Sequence, residues 1–254
     1  MTQGILLTAD VTESFMIKGI FKYTVFGQEV WITTTHVCIL IVMLILMIFA
    51  LCANRAMKKA KEVPSGLQNV VELIVEKLDG IVKASMGEHA RGWLNYIGTI
   101  FIFILMSNFA GIFGLRPPTA DYGVTLPLGI MTFCLIHLTK FRTTKPKTIW
   151  KDMCSPLPPW LPIWLPINII SDIAVPISLS LRLFANVLSG TIMMALVYGL
   201  LGWISTVWPA ALHVYFDLFS GAIQTYVFCM LTMTYIGGAY GDRPMKVKKA
   251  KKSA

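Results

Sequence analysis

Stretches without a single charged side chain divide this chain. Thr33–Cys52, Trp93–Leu115 and Val124–Leu138 contain no Asp, Glu, Lys or Arg, and most of Pro156–Tyr240 has the same character. A helix needs about 20 apolar residues to cross the hydrocarbon of a bilayer. The apolar residues form continuous runs and do not alternate with polar ones, which excludes a membrane β-barrel. The pattern predicts an all-α polytopic membrane protein, with about five crossing helices in one membrane domain over 1–254. Residues 1–30 form an N-terminal outer segment, followed by span 1 at 31–52, span 2 at 93–115 and span 3 at 124–139.

Residues 64–90 follow a different rhythm. Leu67, Val70, Val71, Ile74, Leu78, Ile81 and Val82 recur at helical spacing, while Glu72, Glu76, Asp79 and Lys83 occupy other faces. This is an amphipathic helix, lying on the cytoplasmic membrane surface or packed against the spans. Further on, the prolines of Pro156–Pro166 rule out regular helix there. A long helix is placed at 167–204 and a return helix at 209–239, joined near Ser205–Pro209. A helix from Ile167 to Trp203 is roughly 55 Å long, against about 30 Å of hydrocarbon, so it must tilt or kink, with Pro176 as the kink site.

Charge fixes an orientation. The chain carries 22 Lys and Arg against 13 Asp and Glu, a net charge of +9. The basic residues cluster after span 1 (Arg55, Lys58, Lys59, Lys61), in the loop Lys140–Lys151, and in the tail 243–254. Clusters separated by pairs of crossings are the signature of cytoplasmic loops, not of a nucleic-acid surface. They place the N-terminus outside and the C-terminus inside, with two crossings between the loop and the tail. No cleavable leader is evident, and no GxxxxGK[ST] phosphate loop occurs, so no nucleotide or other cofactor is expected. The five cysteines form no CxxC pair and read as small packing residues.

Inside the predicted spans the ionisable groups are few. Arg182 is the one basic residue that falls in a span, and Asp172 and Asp217 are the acids that do. A guanidinium at mid-membrane costs about 2.5–3.5 kcal/mol on insertion scales and does not escape by deprotonation. Such charges mark ion or substrate pathways, the rival reading being a buried Arg–Asp pair that ties helices together. At i±4 and i+7 from Arg182 stand Ser178, Asn186 and Ser189, a thin polar face. On the return helix, His213, Asp217 and Gln224 share a face by the same spacing. With Gln224 level with Arg182, Asp172 would lie roughly 15 Å to the cytoplasmic side and Asp217 roughly 10 Å to the outer side. Two offset half-channels with a fixed cation between them fit that layout better than a single pore.

The motif PISLSLRLFANVLSG (Pro176–Gly190) resembles the signature of subunit a of F-type ATP synthases, the subunit 6 family. PSGLQN (Pro64–Asn69), FIFILMSNFAGIFG (Phe101–Gly114), PPTADYGVTLPLGI (Pro117–Ile130), PINIISDIAVPISL (Pro166–Leu179) and GAIQTYVFCMLTMTYI (Gly221–Ile236) resemble family segments in the same order. The resemblance implies a stator subunit in a bacterial plasma membrane that passes H⁺ or Na⁺ to and from a rotating ring of subunit c. Subunit b of the peripheral stalk and the remaining synthase subunits would be its other partners. It implies that Arg182 faces the ring, that Asn186 and Gln224 line that interface, and that Asp172 and Asp217 serve the inner and outer half-channels. Such a chain is not catalytic alone. The sequence departs from the family pattern at Thr191, where some members carry glutamate, at Ala185 and at Val175. A secondary transporter, expected to show repeated halves with broken helices in each, and a structural scaffold are the competing classes.

Overall fold

A computed structural model describes residues 19–25, 28–58, 60, 66–113, 115–145, 148–149, 164–201, 212 and 214–240. The proline-rich segment 156–163, His213, the connection at 205–209 and the tail 243–254 lie outside the described residues. Among the described residues, five helices are long and apolar enough to cross a membrane, and the fold is an all-α polytopic one. The hydropathy pattern did not anticipate one feature. Ahead of the first long helix, β1 (Gly19–Val25) pairs antiparallel with β2 (Gln28–Thr33), with Val25 opposite Gln28 and an irregularity between Gly19 and Phe21.

Helix α1 (Thr34–Lys58) follows directly. Thr35, Cys38 and Val42 are buried near its start, whereas Leu40, Met43, Met47, Ile48 and Leu51 are exposed. A helix apolar on every side and buried on so little of it presents the rest to lipid. Arg55 and Lys58 in its last turn mark the basic end of the bundle. Helix α2 (Leu67–Met86) lies at that end and stops at Gly87, whose φ of 56° and ψ of −126° suit a residue without Cβ.

The amphipathic face of α2 is only partly used. Leu78, Val82 and Met86 are buried, but Leu67 and Val70 at the other end are exposed, and the buried position there belongs to Gln68. Its C-terminal half joins the core against α3 (Leu94–Phe109), α4 (Tyr122–Thr143), α5 (Trp164–Leu201) and α6 (Gly221–Gly238). Ile97, Ile104, Leu183, Phe228, Met233 and Ile236 fill the centre. Side chains fasten α6 at the basic end. Trp93 Nε1 donates to Tyr240 Oη at 2.6 Å, His89 stacks on the Tyr240 ring at 3.9 Å, and Ser85 Oγ donates to the Met230 sulfur at 3.3 Å.

Helix α5 has 38 residues and continues through Pro176 without interruption. At 1.5 Å per residue it is roughly 57 Å long, well beyond the hydrocarbon thickness. It runs antiparallel to α4 at close range. A Cβ on Gly129 would come within 2.6 Å of the Pro176 carbonyl oxygen, so only glycine permits this approach. Before α6, Val214–Ser220 is π-helical rather than the start of one regular return helix.

Candidate functional site

Two faces of α5 behave differently. Pro176, Leu179, Ser180, Leu183, Gly190 and Met194 are buried against the bundle. Ser178, Arg182 and Ser189 are exposed and Asn186 is half-buried. The polar stripe read from the sequence is therefore an outward face, with Ile177, Leu181, Ile192 and Met193 exposed around it. Among the described residues, Lys83 pairs with Asp79, and His137 pairs with Asp172 as ions only when its ring is protonated. Arg182 takes part in neither, which argues against its tying two of this chain's helices together.

Contacts across the last hairpin set its register. Ser220 Oγ donates to Asn186 Oδ1 at 3.1 Å, and Gly190 packs against the Phe216 ring, with Phe216 Cβ 3.6 Å from where a Gly190 Cβ would lie. Farther down, Asp172 on α5 and Thr234 on α6 line one cavity. Interpolating between these contacts places Gln224 opposite Arg182. Asp172 then lies about 15 Å along α5 on the basic side of Arg182, and Asp217 about 10 Å on the opposite side. The Gln224 side chain is 8% exposed, and its amide nitrogen has no hydrogen-bond partner among the described residues. An unpaired buried donor costs about 1–3 kcal/mol, so this amide is held ready for a partner rather than placed for stability.

Asp172 opens into a cavity of about 240 Å³ lined by Phe133, His137, Lys140, Val175, Thr234 and Tyr235, among others. His137 Nε2 faces Asp172 Oδ2 at 3.7 Å, and His137 Nδ1 lies 3.1 Å from the Phe133 carbonyl oxygen. Asp217 sits in tighter surroundings. Its carboxyl carbon would be 3.1 Å from a Cβ on Gly111. A void of about 10 Å³, close to the volume that admits one water, is lined there by Asn108, Asn186, Gly190, Asp217 and Gly221.

The wall beside Asp217 is a buried polar network. Asn108 Nδ2 donates to the Gly221 carbonyl at 3.1 Å and to Thr225 Oγ1 at 3.3 Å, while Thr119 Oγ1 donates to Asn108 Oδ1 at 2.7 Å. Thr225 Oγ1 also donates to the Gly221 carbonyl at 2.8 Å. Gly221 is where the π-helical segment gives way to α-helix, and a Cβ there would meet Asn108 Cβ at 2.9 Å. A π-helical turn bonds i to i+5, so the i+4 and i+7 spacing that put Asp217 and Gln224 on one stripe does not hold through this stretch.

The structure thus gathers Asn186 and Asp217 at one small void, and sets Asp172 in a separate, larger one. Arg182, Ser178 and Ser189 share the outward face between and beside them. Residues that the count of charges overlooked are Asn108, Thr119, His137 and Ser220. Asn108 and His137 interrupt long apolar runs, and that was the available signal.

A bundle of apolar helices with its polar groups gathered along the last hairpin defines a polytopic membrane protein built to handle ions. Comparison with known proteins agrees. The family of the ATP synthase A chain matches residues 36–237. Over 234 residues the chain is 34% identical to "ATP synthase subunit a, sodium ion specific" of Propionigenium modestum, covering 86% of this chain and 77% of that protein. It is 32% identical over 235 residues to ATP synthase subunit a of Anoxybacillus flavithermus, covering 84% of this chain and 94% of that protein. To "ATP synthase subunit a 1" of Pelobacter propionicus it is 32% identical over 200 residues, 78% and 84% of the respective chains. The chain belongs to the ATP synthase A chain family. It is a multi-pass, ion-translocating membrane subunit that works in complex with other ATP synthase subunits.

Proposed function

We propose that this subunit conducts H⁺ or Na⁺ through two offset half-channels that meet a rotating ring of subunit c at the Arg182 face of α5. The basic end, with Arg55, Lys58, Lys140 and Arg142, faces the cytoplasm under the positive-inside rule, in the plasma membrane of a bacterium. The N-terminus is then outside, the C-terminus inside, and subunit b of the peripheral stalk holds the chain against rotation. Asp172 and its cavity serve the cytoplasmic half-channel. Asp217, beside Asn186, serves the outer one, with His213 as a further relay group.

One observation carries this reading: an arginine exposed on the outward face of a long helix, between two carboxylates that occupy different cavities at opposite depths. A permanent cation at that level repels any ion moving directly between them. It also favours the ionised form of a carboxylate brought against it. An ion arriving by one half-channel therefore leaves on the ring, travels round with it, and departs by the other. Each elementary charge crossing 100 mV releases about 2.3 kcal/mol, so several must pass for each ATP made. Ser178 and Ser189 keep the stripe narrow enough for a neighbouring helix to approach.

The test is cross-linking in the assembled complex. With the native cysteines replaced, Ser178→Cys and Ser189→Cys should each form disulfides with cysteines placed on the outer helix of a two-span ring protein. Cross-links to fixed subunits alone, with none to a rotating partner, would refute the proposed interface.

A further inference from the structure

We infer that His137 is a proton-relay residue of the Asp172 cavity, the group that takes a proton from Asp172 and passes it to the water of the cytoplasmic mouth. This rests on the half-channel reading above and adds to it a residue and the identity of the ion on that side.

The tautomer follows from the contacts. His137 Nδ1 lies 3.1 Å from the Phe133 carbonyl oxygen, which can only accept, so Nδ1 carries a hydrogen. In the neutral ring Nε2 then bears a lone pair. That lone pair faces Asp172 Oδ2 at 3.7 Å across the cavity. With both groups deprotonated, two electron-rich atoms oppose each other. With one proton between them, either as a carboxylic acid facing a lone pair or as an imidazolium facing a carboxylate, the contact is attractive. The pair is arranged to hold a single proton and to exchange it.

The separation is too long for a direct hydrogen bond and is bridged by a water or closed by a small side-chain shift. The cavity of about 240 Å³ has ample room for water between the two groups. The other polar side chains facing it are Lys140 on α4, and Thr234 and Tyr235 on α6. Lys140 is one turn nearer the basic end than His137. The transfer balances as follows. The O–H of protonated Asp172 breaks as an N–H forms at His137 Nε2, leaving carboxylate and imidazolium. The Nε2–H bond then breaks to cavity water, which carries the proton out and returns the ring to its starting tautomer. Nδ1 keeps its hydrogen and its bond to Phe133 throughout.

The experiment uses the whole ATP synthase complex in liposomes, with proton flux driven by ATP hydrolysis, which runs the same relay in reverse, from the cytoplasmic mouth through His137 to Asp172. His137→Ala should lower flux about tenfold or more, and imidazole supplied to the cytoplasmic face should restore a large part of it. His137→Gln, which fills the site but cannot relay a proton, should be as slow as the alanine variant and should respond little to imidazole. Asp172→Asn should be slow with or without imidazole. Full flux in His137→Ala, or a loss that imidazole leaves unchanged while the complex is intact, would overturn the relay. If His137→Ala does not assemble, wild-type flux in His137→Gln overturns it equally. Unimpaired flux in Asp172→Asn would instead count against the half-channel reading itself, and pumping that requires Na⁺ would rule out the proton as the ion.

Discussion

Ser220 Oγ donates to Asn186 Oδ1 at 3.1 Å, joining the π-helical segment to α5 within one turn of Arg182. Together with the packing of Gly190 on Phe216, that bond marks which residues of the last hairpin stand level with one another. It also holds Asn186 half-buried beside the void that contains Asp217, rather than free on the outward face. Removing it tests the register. Ser220→Ala should cost about 1 kcal/mol, read as a modest fall in the thermal stability of the complex. Asn186→Leu should also slow ion flux, because it removes a wall of the outer cavity.

Accessibility should differ between the two carboxylate positions. In a background lacking the native cysteines, Asp172→Cys should react with a membrane-impermeant thiol reagent added at the cytoplasmic face, and Asp217→Cys with reagent added at the outer face. The cavity at Asp172 is roomy while the void at Asp217 is close to one water in size, so the inner position should react faster. Reaction of both from one face would contradict the offset arrangement.

Gln224 offers a separation of stability from function. Its buried amide nitrogen lacks a partner among the described residues. Gln224→Leu removes that unpaired donor and keeps a similar volume, so thermal stability should change by less than about 1 kcal/mol or improve. Ion-driven ATP synthesis should nevertheless fall, since the amide faces the level of Arg182. A variant that lost stability and kept its rate would show that the amide is structural.

Two glycines set how near the helices lie. Gly129→Ala would push a methyl to 2.6 Å from the Pro176 carbonyl, and the backbone there cannot swing aside. Gly221→Ala would meet Asn108 Cβ at 2.9 Å and strain the polar network beside Asp217. Each should cost about 1–3 kcal/mol, as overpacking does. Gly80→Ala, in the middle of α2 with nothing near its would-be Cβ, should be neutral or stabilising by about 1 kcal/mol. Thermal denaturation of purified complexes carrying each change decides the order.

Much of this architecture can be read from hydropathy because lipid enforces it. A backbone crossing hydrocarbon must bond within itself, so long uncharged runs become helices whatever their neighbours do. Arg182 stands out for the same reason, as a charge where none is cheap. The β-hairpin at Gly19–Thr33 escaped because its pairing lies before the first lipid-crossing helix, where this constraint is absent. The π-helical stretch at Val214–Ser220 escaped because its apolar composition matches that of a regular helix, and the close approach of Gly221 to Asn108 at its end is tertiary. His137 was passed over because a neutral ring in an apolar run looks like packing. Only the carboxylate across the cavity gives it a chemical role.

The central claim concerns the cation at the outward face, and the most direct measurement is made on Arg182→Ala in complexes reconstituted into liposomes. With an imposed ion gradient, the account predicts no ATP synthesis, together with a passive ion leak through the complex larger than that of the wild type. ATP synthesis at the wild-type rate in an intact Arg182→Ala complex, with no added leak, would contradict it.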